Sequence, residues 1–163
     1  MAPSYFLEPF DVAAWHPRQR AIYAAWRDLP RPRGPLPSRA DFDPFVVPDS
    51  LGWIWLHDIE RDPFHLRCRL FGTLLARCVG VDITGEYLDM RPLADPKRPL
   101  DMERLRATAF DGKPSWARTP PLLKHGDVWA EVESLMLPFA ADGRTPDVML
   151  GVSTYYRADG SVV

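Results

Sequence analysis

The residues of this chain best suited to chemistry crowd into one stretch, LFGTLLARCVGVDITGEYL, from Leu70 to Leu88. Gly72, Gly80 and Gly85 stand there beside Thr73 and Thr84, and glycines at helix starts are one way a backbone cradles phosphate. The spacing argues against a nucleotide: neither GxGxxG nor GxxxxGK(S/T) is present, and no lysine follows where a P-loop needs one. The four histidines, His16, His57, His65 and His125, form no HxxxH or HExxH pair, and Cys68 and Cys78 lack the close pairing of zinc ligands, so no metal is expected. Ser134 and Ser153 fall inside strand-like segments and outside any GxSxG turn. Asp58, Asp82, Glu131 and Glu133 could act as acid and base only if the fold united two of them. His57, with Trp53 and Trp55 at alternate positions, reads first as a hydrogen-bonded core histidine. His65 and His125 read as hairpin-end residues in solvent.

The elements that must position these groups are punctuated by proline, of which there are 18. Clusters at residues 30–37, 92–99 and 114–121 end elements, because proline fixes φ and lacks a donor. Pro17 opens a helix over Pro17–Leu29 that Pro30 stops, with Ile22, Trp26 and Leu29 as an apolar stripe at helical spacing. Because a proline-rich linker follows, this stripe either packs on its own domain or forms a dimer or partner contact. Strands are expected over Leu51–Ile59 and His65–Phe71, joined by ERDPF. In the second, Leu66, Cys68 and Leu70 alternate with Arg67 and Arg69, which makes Cys68 a packed, inert thiol. Thr73–Val79 is a short helix with Thr73 as its cap, Thr84–Met90 a helix or turn, and Leu100–Asp111 the longest interior helix, ended by Gly112. Strands return at Ser115–Thr119, Val128–Leu137 and Val148–Tyr155. Strands set apart from helices in this way predict an α+β fold with an antiparallel sheet.

Composition narrows the classes further. The chain has 163 residues, 46% of them hydrophobic and 26% charged, with a formal charge of −2 and no Lys/Arg run, which gives nucleic acid nothing to hold. No apolar run approaches the roughly 20 residues of a membrane span, and the N-terminus has no basic signal-peptide start. Two cysteines suit a reducing, cytoplasmic setting.

Several dispersed motifs then fall into register. Arg69 with Gly72-Thr73, then Gly80, Asp82, Thr84 and Gly85, then Leu137-Pro138 with Asp142-Gly143, resemble a bacterial PAS-domain family; Trp26-Arg27 and the linker Asp41–Pro48 fit it too. The resemblance covers residues 15 to 156. It implies a PAS fold: a five-stranded antiparallel sheet in the order 2-1-5-4-3, short helices on one face, and an N-terminal helix. The proline cluster at 30–37 is expected to divide the chain into a helical extension and proline-rich linker over residues 1–36 and the PAS domain over 37–163. The function implied is non-catalytic sensing or signalling, through a small apolar or amphipathic ligand, a protein partner, or both. The chain ends at Val163 with no output domain, so the output is expected through a signalling partner or a homodimer, with Ile22, Trp26 and Leu29 as the contact.

The resemblance names no cofactor. The helix LDMERLRATAFD lacks the histidine of haem-binding PAS domains, and Cys78 in ARCVG lacks the NCRFLQ-like surroundings of covalent flavin sites; non-covalent flavin, or haem on another ligand, stays open. A cleft between sheet and helices is expected, walled by Trp53, Trp55, Leu66, Cys68, Leu70, Leu105, Phe110, Val132 and Leu150, unless these fill it as ordinary core. Arg69 is expected to pair with Glu131 or Glu133 on the outer face. A small hydrolase or isomerase using His57 and nearby carboxylates is the remote alternative.

Overall fold

A computed structural model describes residues 11–91 and 101–163. Within them lie α1 (Pro17–Arg27), β1 (Ile54–Arg61), β2 (Phe64–Phe71), α2 (Thr73–Val79), α3 (Met102–Asp111), β3 (Ser115–Thr119), β4 (Glu131–Phe139) and β5 (Val148–Tyr156). The five strands form one sheet in the order β2-β1-β5-β4-β3, every neighbour antiparallel, as the resemblance implies. The proline cluster at 92–99, and Leu100 of the expected helix, lie outside the described residues.

Local chemistry sets the element ends. Pro17 occupies the first turn of α1, where its missing N–H costs nothing, and the His16 ring accepts from the Arg18 amide as the cap. Pro48 starts a 3-10 helix that runs to Trp53, so β1 begins at Ile54, later than the apolar run suggests. Thr73 is the first residue of α2 and not its cap; Gly72 holds the cap position and makes no side-chain bond. Gly80 closes α2 at φ 87°, a left-handed value that glycine adopts without a Cβ penalty.

Alternation splits the sheet into two faces. Ile54, Leu56, Leu135, Leu137, Leu150 and Val152 share one face, together with Glu133 and Thr154. Helix α1 covers this face. Its buried residues Gln19, Ile22, Tyr23 and Trp26 recur at the three- and four-residue spacing of a helical stripe. Gln19 Nε2 donates to the Glu133 carbonyl (3.0 Å), Thr154 Oγ1 donates to Gln19 Oε1 (2.9 Å), and Trp26 Nε1 donates to the Pro138 carbonyl (3.0 Å). The following proline-rich segment is sewn to the β4–β5 turn by Leu36 N–H to Gly143 O (3.0 Å) and Ala140 N–H to Pro37 O (2.9 Å).

The opposite face carries Trp55 and His57 from β1, Val132, Ser134 and Met136 from β4, and Gly151, Ser153 and Tyr155 from β5. Over it lie α2, α3 and the turn that follows α2. Strand β5 sits between both layers, and all nine of its residues are buried.

The expected charge pairs form differently. Two strands, β1 and β5, separate Arg69 on β2 from β4. Arg69 therefore bonds Asp58 of neighbouring β1 (2.5 Å), while Glu131 bonds Arg118 of β3 (2.7 Å). Glu133 is buried under α1 and accepts from the His16 amide (3.0 Å), Trp116 Nε1 (2.9 Å) and the Tyr156 hydroxyl (2.6 Å).

Candidate functional site

Between the second face of the sheet and its helical cover lies a cavity of about 520 Å³. That is within the range of small-molecule sites. Its floor is the sheet face just described; α2 contributes Leu75 and Val79, the turn after it Ile83 and Leu88, and α3 Met102 and Leu105. Leu122 and Leu123, from the connection between β3 and β4, complete an apolar wall.

Three of the residues expected to line a cleft do so: Trp55, Leu105 and Val132. The others are placed elsewhere, each for a physical reason. Trp53 ends the 3-10 helix before β1, and its indole lies under the Arg18 guanidinium of α1, 4.1 Å from its centroid. Leu66 and Cys68 are buried opposite Ile59 and His57 in the β1–β2 ladder and form no part of the wall. Leu70 is displaced by a β-bulge: His57 pairs with Cys68 but Leu56 pairs with Leu70, so Arg69 is the extra residue. The bulge turns Leu70 to the α1 side, 42% exposed, and brings Phe71 into the wall instead. Leu150 pairs with Leu56 and Leu137 on the α1 face. Phe110, 40% exposed, packs on Phe64 (centroids 5.1 Å apart) beneath the guanidinium groups of Arg61 and Arg106. Of the stripe on α1, Ile22 and Trp26 are buried in this chain's own core and Leu29 is partly buried against it.

Several wall residues escaped the sequence reading. Gly151 faces Trp55 across the β1–β5 ladder, and the indole lies flat over it, in the space a Cβ would occupy. From there Trp55 Nε1 donates to Ser153 Oγ (3.0 Å). Ser134 is the cross-strand partner of Ser153. The buried Arg104 guanidinium donates to Ser134 Oγ (2.8 Å) and O (2.6 Å), and to Ser115 Oγ (3.0 Å) and O (3.2 Å). Tyr155 donates its hydroxyl to the Leu123 carbonyl (2.6 Å), and burial raises its pKa. The usable signal was parity: Gly151, Ser153 and Tyr155 share a face of β5 that excludes Leu150.

His57 is buried, 2% exposed, and belongs to the wall. It is not the hydrogen-bonded core residue its setting suggests, for neither ring nitrogen has a partner among the described residues. Burial lowers its pKa to about 4, so the imidazole is neutral near pH 7. His65 bonds Asp89 (2.7 Å) and is half-buried, whereas His125 is exposed. Burial pushes the Cys68 thiol up to about 12 and Cys78 to about 11, which keeps both protonated and unreactive. The four carboxylates considered for acid–base work are dispersed: Asp58 on Arg69, Asp82 on Thr84, Glu131 on Arg118, and Glu133 beneath α1. Among the described residues no group of three or more His, Cys, Asp or Glu is placed to hold a metal ion. No described helix is long and apolar enough to cross a membrane.

An antiparallel 2-1-5-4-3 sheet with short helices closing an apolar cavity over one face defines a PAS-type α+β domain. A family profile described as PAS domain matches residues 14–154, and the chain belongs to that family, whose members are sensory and signalling modules. No curated protein and no solved structure matches the chain.

Proposed function

We propose that this PAS domain is a sensor that binds a small apolar or amphipathic molecule in the cavity between sheet and helices, and passes the event to a protein partner in the cytoplasm. The observation that supports the reading is the cavity itself. About 520 Å³ is left open inside the fold, with aromatic and aliphatic walls and a few polar groups. The chemistry proposed is binding and not catalysis, because Asp58, Asp82, Glu131 and Glu133 are engaged away from the cavity and the thiols are held protonated.

Native mass spectrometry of the purified protein, with thermal melting in parallel, tests the proposal. A retained small molecule whose removal lowers Tm is the expected result, since a ligand of the native state stabilises it by mass action. A ligand-free mass, with no stabilisation by any member of an apolar compound library, would favour a ligand-independent adaptor instead. The same spectrum reports the oligomeric state.

A further inference from the structure

One group in the cavity wall has hydrogen-bonding capacity that nothing around it uses. His57 offers one N–H and one lone pair as a neutral imidazole, and neither nitrogen finds a partner among the described residues. The ring packs edge-on against the Trp55 indole, centroids 5.0 Å apart. Its ladder neighbours do not help: Met149 brings no strong donor or acceptor, and Cys68 Sγ–H is directed to the Leu70 carbonyl (3.4 Å). Ser134, Ser153 and Tyr155 in the same wall differ in being engaged. Ser134 and Ser153 accept from Arg104 and Trp55, and Tyr155 donates to Leu123.

A buried polar group without a partner is costly to keep, and a hydrophobic residue of similar shape would remove the cost. Such a group makes sense where a visiting molecule completes it. We propose that His57 is the recognition residue of the cavity, selecting an uncharged amphipathic ligand whose hydroxyl, amide or carbonyl head hydrogen-bonds the imidazole while its apolar body packs against Trp55, Phe71 and Leu75. This rests on the cavity being a ligand site.

The head is uncharged because the surroundings that keep the imidazole neutral would penalise a bare ion beside it. Asp101 and Glu103 in the same wall further oppose an anion, and Arg104 is directed to Ser115 and Ser134.

A matched probe series tests the assignment: indane, 5-indanol and indane-5-carboxylate, titrated against the whole protein by amide NMR. The wild type should bind 5-indanol roughly five- to tenfold tighter than indane, the worth of one hydrogen bond, and the carboxylate most weakly. In His57→Leu the 5-indanol and indane affinities should converge to within about twofold, while His57→Gln, which keeps a donor and an acceptor, should retain part of the preference. Equal binding of indane and 5-indanol by the wild type overturns the inference while leaving the cavity as a ligand site. So does a preference that survives in His57→Leu, and tightest binding of the carboxylate overturns the uncharged head. If no probe perturbs cavity residues, the ligand-binding reading fails and takes the inference with it.

Discussion

Replacing Gly151 with alanine tests the wall of the cavity at its tightest point. The Trp55 indole occupies the space of the missing Cβ, with Cε2 and Cζ2 far inside the 3.5–4.0 Å at which carbon atoms normally touch. The obstacle is a rigid bicyclic ring lying flat on the β5 backbone and tied there by its bond to Ser153, so neither partner can yield by a small rotation. Trp55 must leave its rotamer, which costs about 1–3 kcal/mol for overpacking. It also loses the Nε1–Ser153 bond, a further 0.5–1.5 kcal/mol or so. Gly151→Ala should therefore destabilise the protein by about 2–4 kcal/mol, and lower Tm by roughly 5–15 °C for a chain of this size. Urea denaturation of Gly151→Ala, Trp55→Leu and the double variant forms a cycle. If the indole is the cause, the double variant should be more stable than the sum of the singles by at least about 1 kcal/mol. A Gly151→Ala change below about 0.5 kcal/mol, or strict additivity, would refute the packing argument.

Other substitutions probe the remaining layers. Glu133→Gln removes a buried carboxylate that satisfies three donors at once, and should cost about 2 kcal/mol in urea denaturation at pH 7; an unchanged midpoint would contradict it. Because the folded-state pKa of His57 lies near 4, below the ordinary 6.5, the unfolded chain binds a proton that the native state refuses between those values. Stability should thus fall as pH drops from 6.5 towards 4, by up to about 1.4 kcal/mol per pH unit, with the loss complete below pH 4. His57→Leu should flatten that part of the profile, and an identical profile in the variant would count against the buried neutral imidazole. Ile22→Ala should cost about 2–5 kcal/mol through a cavity beneath α1 while leaving the solution mass unchanged; a changed oligomeric state at full stability would restore the dimer contact.

What the sequence disclosed depended on how local the signal was. Helix α2 and strand β3 have the bounds that capping glycine and flanking prolines dictate, because those residues act within their own segment. Sheet order came from the family likeness, whose motifs span nearly the residues that the family profile matches. Which face a side chain takes was less accessible. Val132 alternates with Glu131 and Glu133 along β4 and takes the expected face, but Leu70 shares the face of Cys68 only by simple parity, and the bulge at Arg69 that shifts it is a property of two strands together. Leu150 looked like a wall residue because β5 is apolar on both sides. A strand covered on one face would have shown its polarity. His57 was readable as buried, yet its lack of partners depends on residues distant in the chain.

That doubly covered strand also sets the order in which the molecule can come apart. Strand β5 is bonded to β4 along its whole length and to β1 over its first five residues, Val148 to Val152, and is sealed by α1 on one side and the cavity layer on the other. Its amides can meet deuterium only through openings that separate the layers, whereas the outer edge of β3 can fray alone. Exchange from Val148 to Val152, where both edges are paired, should be the slowest in the chain and report global unfolding, which makes this part of β5 the place to read how far any ligand tightens the whole domain.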